Sequence, residues 1–190
     1  MFDAKDGISF AIHHLESCFP GLTPAHSLHL AQHYNIPKWV PAATWALIIH
    51  TPLANIDDED ITYMGIKSYS IIAHAKDMLS RQHIALAQSP PGPPILQQSP
   101  QCSSHTSCVQ VWQERWVLVI GWAILSPTTP LPLTNILDRL KGTKFPGMNQ
   151  FCHLATMKHL SVEDFSRFEQ AIMDKTIDMI FEYHSISSTD

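Results

Sequence analysis

The chain has 190 residues, 45% of them hydrophobic, which is typical of a globular protein rather than a disordered one. Its formal charge is −5, from 17 acidic and 12 basic residues, and the Lys and Arg residues are scattered singly. Phosphate backbones are bound by clustered positive charge, so no nucleic-acid partner is expected. The longest apolar run, Trp116 to Leu125, has about half of the roughly 20 residues that a membrane span needs, so no membrane span is predicted.

The four cysteines are too few and too dispersed to indicate a scaffold held together by disulfides; they are Cys18, Cys102, Cys108 and Cys152. The N-terminal stretch MFDAKDG has acidic residues where a secretory signal peptide has basic ones, and no long apolar run follows it. We therefore expect an intracellular protein, cytoplasmic or nuclear, with reduced thiols.

Apolar residues recur at spacings of three and four along the first 50 residues, which predicts three short helices. The first helix is predicted at 3–17. The second begins at Thr23, a good N-cap, with Pro24 at the first helical position, where its missing N–H is not needed. The third follows Asn35-Ile36-Pro37 and runs to about Ile49.

Residues 57–88 predict two more helices. Asp57 is placed to cap a short helix that Gly65 ends. A longer helix with a continuous apolar stripe begins near Ser68 and stops at the prolines that follow residue 88.

The C-terminal half also predicts helices. Residues 103–125 form one helix, with Trp112 and Trp116 one turn apart. Their apolar neighbours favour a helix buried nearly all round over an exposed ridge that binds a partner. Further helices are predicted from the Thr134 cap to Gly142, from Asn149, and from Ser161, where Asp164 completes a variant of the capping box.

The segment 89–101 holds five of the fourteen prolines and divides the chain into an N-terminal helical region, 1–88, and a C-terminal helical region, 102–185. It is either a surface linker or a long loop within one domain. The polar tail, 186–190, is expected to fray. Since no segment alternates as a strand does, the predicted fold is all-α, an irregular bundle of about seven to nine helices.

Three histidines, His26, His29 and His33, share one face of the second predicted helix, largely away from its apolar side. His29 and His33 are spaced to chelate zinc, but two imidazoles make half a site and no Glu lies between them as in a metalloprotease helix. A solvated face rich in histidine is the expected structure.

The pattern Cys102-x-x-His105-x-x-Cys108 has spacings that suit a structural zinc site. A further ligand must come from Cys152, His153 or His159. Cys152 and His159 lie two turns apart on one helix face, about 10 Å, so only one of them can join the same ion. Free or packing cysteines are the favoured interpretation and a structural zinc the alternative, so no metal ligand or cofactor is assigned.

Catalytic motifs are absent from the sequence. It has no G-x-S-x-G elbow, no glycine-rich phosphate loop and no H-E-x-x-H. The acidic run Asp57 to Asp60 suits a helix N-terminus, where negative charge is favourable, better than a carboxylate site. We therefore expect no catalytic residue and no enzymatic activity.

The order of several motifs resembles the helical region that follows the BTB domain in a group of fungal BTB-domain proteins. Those chains have A-I-x-x-L, then L-A-x-x-Y-x-x-P-x-W-x-x-P-A, then P-L, an acidic stretch and G-L/I. The matching positions are Ala11, Ile12, Leu15, Leu30, Ala31, Tyr34, Pro37, Trp39, Pro41, Ala42, Pro52, Leu53, Gly65 and Ile66. The likeness continues through the two spaced cysteines, the tryptophans, ILSPTTPLPL and PGMNQFC, and so covers about residues 2–159.

The resemblance implies a non-enzymatic protein–protein interaction module with an unidentified protein partner. The sequence has no counterpart of the BTB domain itself, so BTB-mediated dimerisation and ubiquitin-ligase adaptor work are not carried over. The chain is then either a truncated product or a helical part that stands alone, and an exposed apolar patch would allow self-association. The alternative function is a small zinc-stabilised domain using Cys102, Cys108, Cys152 and a histidine.

Overall fold

The computed structural model describes residues 13–14, 21–90, 101–126 and 131–187, and every regular element within them is helical. The all-α prediction is confirmed for these residues. The helix predicted at 3–17 lies almost entirely outside them, as do residues 91–100 of the Pro-rich segment and the end of the tail. The α-helices are α1 Pro24–His33, α2 Trp39–Trp45, α3 Asp58–Met64, α4 Ile66–Gln88, α5 His105–Arg115, α6 Ile136–Gly142, α7 Gln150–His159 and α8 Glu163–Ser187.

Three predicted helix starts are confirmed by capping hydrogen bonds. The Thr23 hydroxyl accepts from the backbone N–H of His26 at 3.1 Å, and the Asp57 carboxylate accepts from that of Asp60 at 2.8 Å. The Asn149 side chain does the same for α7, accepting from the N–H of Phe151 at 2.9 Å. Each cap satisfies one of the N–H groups that a helix leaves unpaired at its start.

Other predicted boundaries are wrong by a few residues. The long helix α4 begins at Ile66, directly after Gly65, rather than near Ser68. Thr134 does not cap α6, because Leu133–Asn135 form a 3₁₀ turn and α6 follows it. The last helix begins at Glu163, two residues beyond the predicted start.

Two helices contain a π-helical segment that the sequence pattern did not predict. Ala46–His50 extends α2, and Trp116–Gly121 extends α5 into a short α-helical turn, Trp122–Ile124. In a regular α-helix, residues spaced by four drift by about 40° per step around the axis. The wider π turn offsets that drift. The buried residues beside both segments are spaced by four, as Val40, Thr44 and Ile48, and as Cys108, Trp112, Trp116, Ile120 and Ile124.

The described residues divide into two compact units. Unit 1 takes residues up to Ala73 and from Thr176 onward, and unit 2 takes His74–Lys175. In unit 1, α1 packs against α2 and α3 and buries Ala25, Leu28 and Ala31.

Unit 2 has an aromatic core in which the tryptophans of α5 and its π-helical extension lie. Trp112 stacks on Phe145 with 5.2 Å between ring centroids, and Trp116 stacks on Phe165 at 5.9 Å. Both tryptophans are buried, so their prediction as core residues is confirmed. The Trp116 indole N–H also donates to the carbonyl of Leu86 at 2.8 Å, so residues on both sides of the Pro-rich segment pack in one unit.

The prediction that residues 103–125 are buried nearly all round is wrong for one side of the helix. Val117, Leu118, Trp122 and Leu125 are exposed, and Trp122 keeps 73% of its surface. Among the described residues, no helix is long and apolar enough to span a membrane.

Candidate metal centre

Three cysteines from separate parts of unit 2 come together in its core. Cys102 lies in the turn before α5, Cys108 in the first turns of α5, and Cys152 near the start of α7. All three are buried, and none is in a disulfide. Cys108 belongs to the buried row that continues through Trp112 and Trp116, so the packing of that helix fixes its position.

The sulfur atoms are spaced like ligands of one metal ion. The three Sγ atoms all lie within 4.8 Å of one another, and those of Cys102 and Cys108 are 3.7 Å apart. Tetrahedral ligands at about 2.3 Å from zinc place two sulfurs about 3.8 Å apart, whereas a disulfide bond is about 2.05 Å. Within the described part of the chain, this is the one set of three or more potential metal-binding side chains so grouped.

His105 is the histidine closest to completing the site. Its Nδ1 atom lies 3.9 Å from the Sγ of Cys152, and the residue is half-buried at the first position of α5. This nitrogen is therefore a candidate for the fourth ligand. The order of the donors is then Cys102, His105, Cys108 and Cys152.

The other two candidate histidines are placed less favourably. His159 is exposed at the end of α7. His153 follows Cys152 directly, but its ring packs on Phe145 with 5.0 Å between centroids. Its Nε2 atom is buried without a hydrogen-bond partner, and burial lowers its pKa, so this histidine is held neutral in the core.

The surroundings of Cys102 favour the thiolate that a metal requires. Burial opposes ionisation of Cys102, but hydrogen bonds from the backbone of Ser104 and from Cys152 and Cys108 outweigh it and lower the pKa of this thiol. The backbone N–H of Asn149 donates to the Cys108 sulfur at 3.3 Å. Such N–H donors outside the ligand set orient and stabilise metal-bound sulfur.

Two of the three histidines of α1, His26 and His29, contact α3 through Tyr63. His26 stacks on Tyr63 with 4.5 Å between ring centroids, and the Nδ1–H of His29 donates to the Tyr63 carbonyl at 2.7 Å. His29 also stacks on His33 at 5.8 Å. The half-burial of His26 and His29 against α3 corrects the expectation of a solvated face for these two residues, whereas His33 is exposed as expected.

The acidic run Asp57 to Asp60 forms the N-cap and the first turn of α3. Asp57 caps α3 as predicted, and Asp60 accepts a hydrogen bond from the Thr23 hydroxyl at 3.0 Å. Glu59 accepts one from the Tyr63 hydroxyl at 2.9 Å, which, with the charge of Glu59, raises the pKa of that phenol. These contacts join the start of α1 to α3 within unit 1 and do not gather the carboxylates around a common point.

Sequence spacing identified most of the cluster but not how closely its members approach. Cys102, His105 and Cys108 were marked by their spacing, and Cys152 was one of three candidates for a further ligand. The N–H group of Asn149 had no signal in the sequence beyond the prediction that a helix begins at this residue. Comparisons with known proteins found no matching family, no similar curated protein and no similar solved structure.

Proposed function

We propose that this chain is a non-enzymatic helical protein whose second unit is stabilised by a structural zinc ion bound by Cys102, His105, Cys108 and Cys152. The observation that carries this proposal is the buried triangle of sulfurs within 4.8 Å, with Cys102 and Cys108 at the spacing of zinc ligands. A soft, sulfur-rich tetrahedral donor set selects zinc over magnesium or calcium.

The donor set supports a structural role for the ion. Catalytic zinc keeps one position open for water or substrate, whereas four protein ligands close the coordination sphere. Because the ligands come from the turn before α5, from α5 and from α7, one ion would fix these elements relative to each other. A structural ion of this kind contributes directly to the free energy of folding.

The first experiment is elemental analysis of the full chain, purified without a His-tag and under reducing conditions. We expect zinc in equal molar amount to the protein. Cys108→Ser should lose the metal and lower the Tm by on the order of 10 °C, because removing a ligand costs several kcal/mol of folding free energy. Metal-free protein that remains folded, with a shift of a degree or two in Cys108→Ser, would show that the cysteines only pack.

Histidine variants identify the remaining ligand. His105→Gln should weaken zinc binding, measured by competition with a coloured chelator, while the exposed His159→Gln should not change it. His153→Gln completes the series, because His153 follows Cys152 directly and its Nε2 atom is buried. Loss of zinc in His153→Gln alone would move the fourth position from α5 to α7.

A second candidate function is that of a protein–protein interaction module resembling the post-BTB helical region. The observation that favours it is the exposed apolar row on the helix after α5, defined by Val117, Leu118, Trp122 and Leu125. Contiguous exposed apolar surface is characteristic of interaction sites, and Trp is enriched among the residues that dominate binding. The partner is a second copy of the chain or another protein with a complementary apolar surface.

Light scattering over a range of concentrations tests this second function first for self-association. Trp122→Ala should shift an oligomer toward monomer, whereas Trp45→Ala, a tryptophan of unit 1 with 38% exposure, should not. If the wild type is monomeric throughout, capture of cross-linked partners from cells is compared between the same two variants. Equal capture by both would remove the row as the binding surface.

A further inference from the structure

Cys102 and Cys108 form a pair of touching thiols within the cysteine cluster. Their Sγ atoms lie 3.7 Å apart and are not bonded, whereas the sulfurs of a disulfide are about 2.05 Å apart. The two residues are close in the chain and belong to the same compact unit. An approach of the two sulfurs by about 1.7 Å would therefore be enough to join them.

The surroundings hold the two cysteines unequally. Cys108 is part of α5, where it belongs to the buried row with Trp112 and accepts a hydrogen bond from the backbone N–H of Asn149. Cys102 lies outside the helix, in the turn formed by residues 101–104, and its neighbours in the chain are exposed. Local movement costs less in a turn than in a packed helix, so Cys102 is the side chain that closes the gap.

Cys102 is also the most accessible cysteine of the cluster. It keeps 8% of its surface, against 2% for Cys108 and none for Cys152. A small neutral oxidant such as hydrogen peroxide therefore reaches Cys102 first and finds a second thiol in contact with it. A more accessible thiol next to a resolving cysteine is the arrangement typical of redox-sensor cysteines.

We propose that Cys102 and Cys108 are a peroxide-sensitive pair, whose oxidation to a disulfide releases the zinc ion from unit 2. The inference rests on the zinc site of the proposed function and adds the regulation of that site. Thiolate, and not disulfide sulfur, is the metal ligand, so oxidation leaves His105 and Cys152, which make half a site. α7 then loses the ion that joins it to α5.

The reaction balances with hydrogen peroxide as the oxidant. The Cys102 thiolate attacks one peroxide oxygen, so that an S–O bond forms, the O–O bond breaks and hydroxide leaves. The Cys108 thiolate then attacks the Cys102 sulfur, so that the S–S bond forms, the S–O bond breaks and a second hydroxide leaves. The two sulfurs together lose two electrons, and the two hydroxides take up two protons to become water. A thiol reductant reverses the oxidation by exchange.

Peptide mapping of the full wild-type chain identifies the bond. Reduced protein with bound zinc is treated with a small molar excess of hydrogen peroxide, alkylated and cut with trypsin. Trypsin leaves Cys102 and Cys108 on one peptide, 82–115, and Cys152 on another, 145–158. We expect peptide 82–115 to escape alkylation and to be two hydrogen atoms lighter than its reduced form, while peptide 145–158 is alkylated. A coloured chelator should detect one zinc released per disulfide, and dithiothreitol with added zinc should restore the starting state.

Two variants are the controls. Cys18→Ser removes a cysteine that the pair does not use and should respond as the wild type does. Cys152→Ser should weaken zinc binding but still form the disulfide. Zinc-bound wild type in which Cys102, Cys108 and Cys152 are all alkylated after peroxide treatment would overturn the switch alone. A disulfide that joins peptides 82–115 and 145–158, or one that forms without zinc release, would do the same. Zinc-free protein before treatment would overturn the proposed function and the switch with it.

Discussion

Gly121 lies where its helix passes close to the backbone of Ala87 in α4. A Cβ atom at this position would overlap the carbonyl oxygen of Ala87 and approach its backbone carbon to 3.2 Å. Backbone atoms inside a helix cannot rotate away as a flexible side chain can, so any residue with a side chain forces the two helices apart.

Gly121→Ala should therefore destabilise the protein by about 2–3 kcal/mol, although alanine is the better helix former. Gly142→Ala is the matched control, because no atom lies within 4 Å of its added methyl group. We expect that variant to be neutral or slightly stabilised. Urea unfolding of both variants measures the difference, and equal stabilities would show that the close approach relaxes at little cost.

His83 makes stability depend on pH. Burial lowers its pKa below the ordinary 6.5, so the unfolded chain binds this proton more readily than the folded protein does. Stability therefore rises with pH through the window from the lowered pKa up to 6.5, and is lost as pH falls through it. Glu169, which lines the same small cavity as His83, contributes in the opposite sense, because its raised pKa favours the folded state at low pH.

His83→Leu should consequently lose less stability than the wild type when the pH is lowered from about 7 to about 5. Urea unfolding at both pH values gives the comparison. His74→Leu removes an exposed histidine from the same helix and should follow the wild type. Parallel losses in all three proteins would mean that His83 titrates normally.

At the scale of single helices, local chemistry predicted the ends better than the interior. Thr23 and Asp57 cap helices as expected, and Asn149 caps the helix that was predicted to begin there, because a cap depends on one side chain and the next few N–H groups. The π-helical segments were not predicted. An apolar row in which every spacing is four residues was treated like the alternating spacings of three and four that are typical of an α-helix. The exposure of Trp122 was not predicted for the same reason.

The C-terminus of α4 illustrates what spacing cannot predict. The last four carbonyls of a helix have no partner within it, and that of Leu86 is among them. Trp116, which lies 30 residues further along the chain, supplies the missing donor. Such a contact depends on the tertiary fold and leaves no local signal in either segment.

Trp116→Phe should cost about 1 kcal/mol more than Trp112→Phe, since both shrink a buried ring but only the first leaves the partly buried carbonyl of Leu86 without its donor. Trp112 also stacks on an aromatic ring, which makes it a close match. Chemical denaturation of the two variants measures the difference. Identical losses would indicate that water takes over the bond to Leu86.

At the scale of the whole molecule, composition and periodicity were enough for the all-α class, but not for the grouping of the helices. Proline content suggested a division at 89–101, whereas the two compact units divide at residues 73 and 175. Both positions fall inside long helices, α4 and α8, where periodicity is unbroken. Convergence of Cys152 on Cys102 and Cys108 is likewise a product of packing that the spacing left open.

If zinc holds the cysteine cluster, a chelator should affect the two units unequally. Amide hydrogen exchange should increase in α5 and α7, which carry the ligands, and change little in α1–α3 of unit 1. Re-addition of zinc should restore the protection. A uniform increase along the chain, or none, would separate the metal from the stability of unit 2.

The buried row from Cys108 to Ile124 also has an evolutionary consequence. The residues of this row are spaced by four, and in a regular α-helix that spacing would turn the row by about 160° around the axis between its first and last members. The π-helical segment Trp116–Gly121 offsets this rotation. Deleting one residue in this segment changes one spacing in the row from four residues to three. In a regular α-helix a spacing of three turns the row back by about 60°, so the whole row then lies within an arc of about 80° around the helix axis. Related chains are thus expected to tolerate a single-residue gap at this place in the helix, while gaps elsewhere in it would move the tryptophans away from the core.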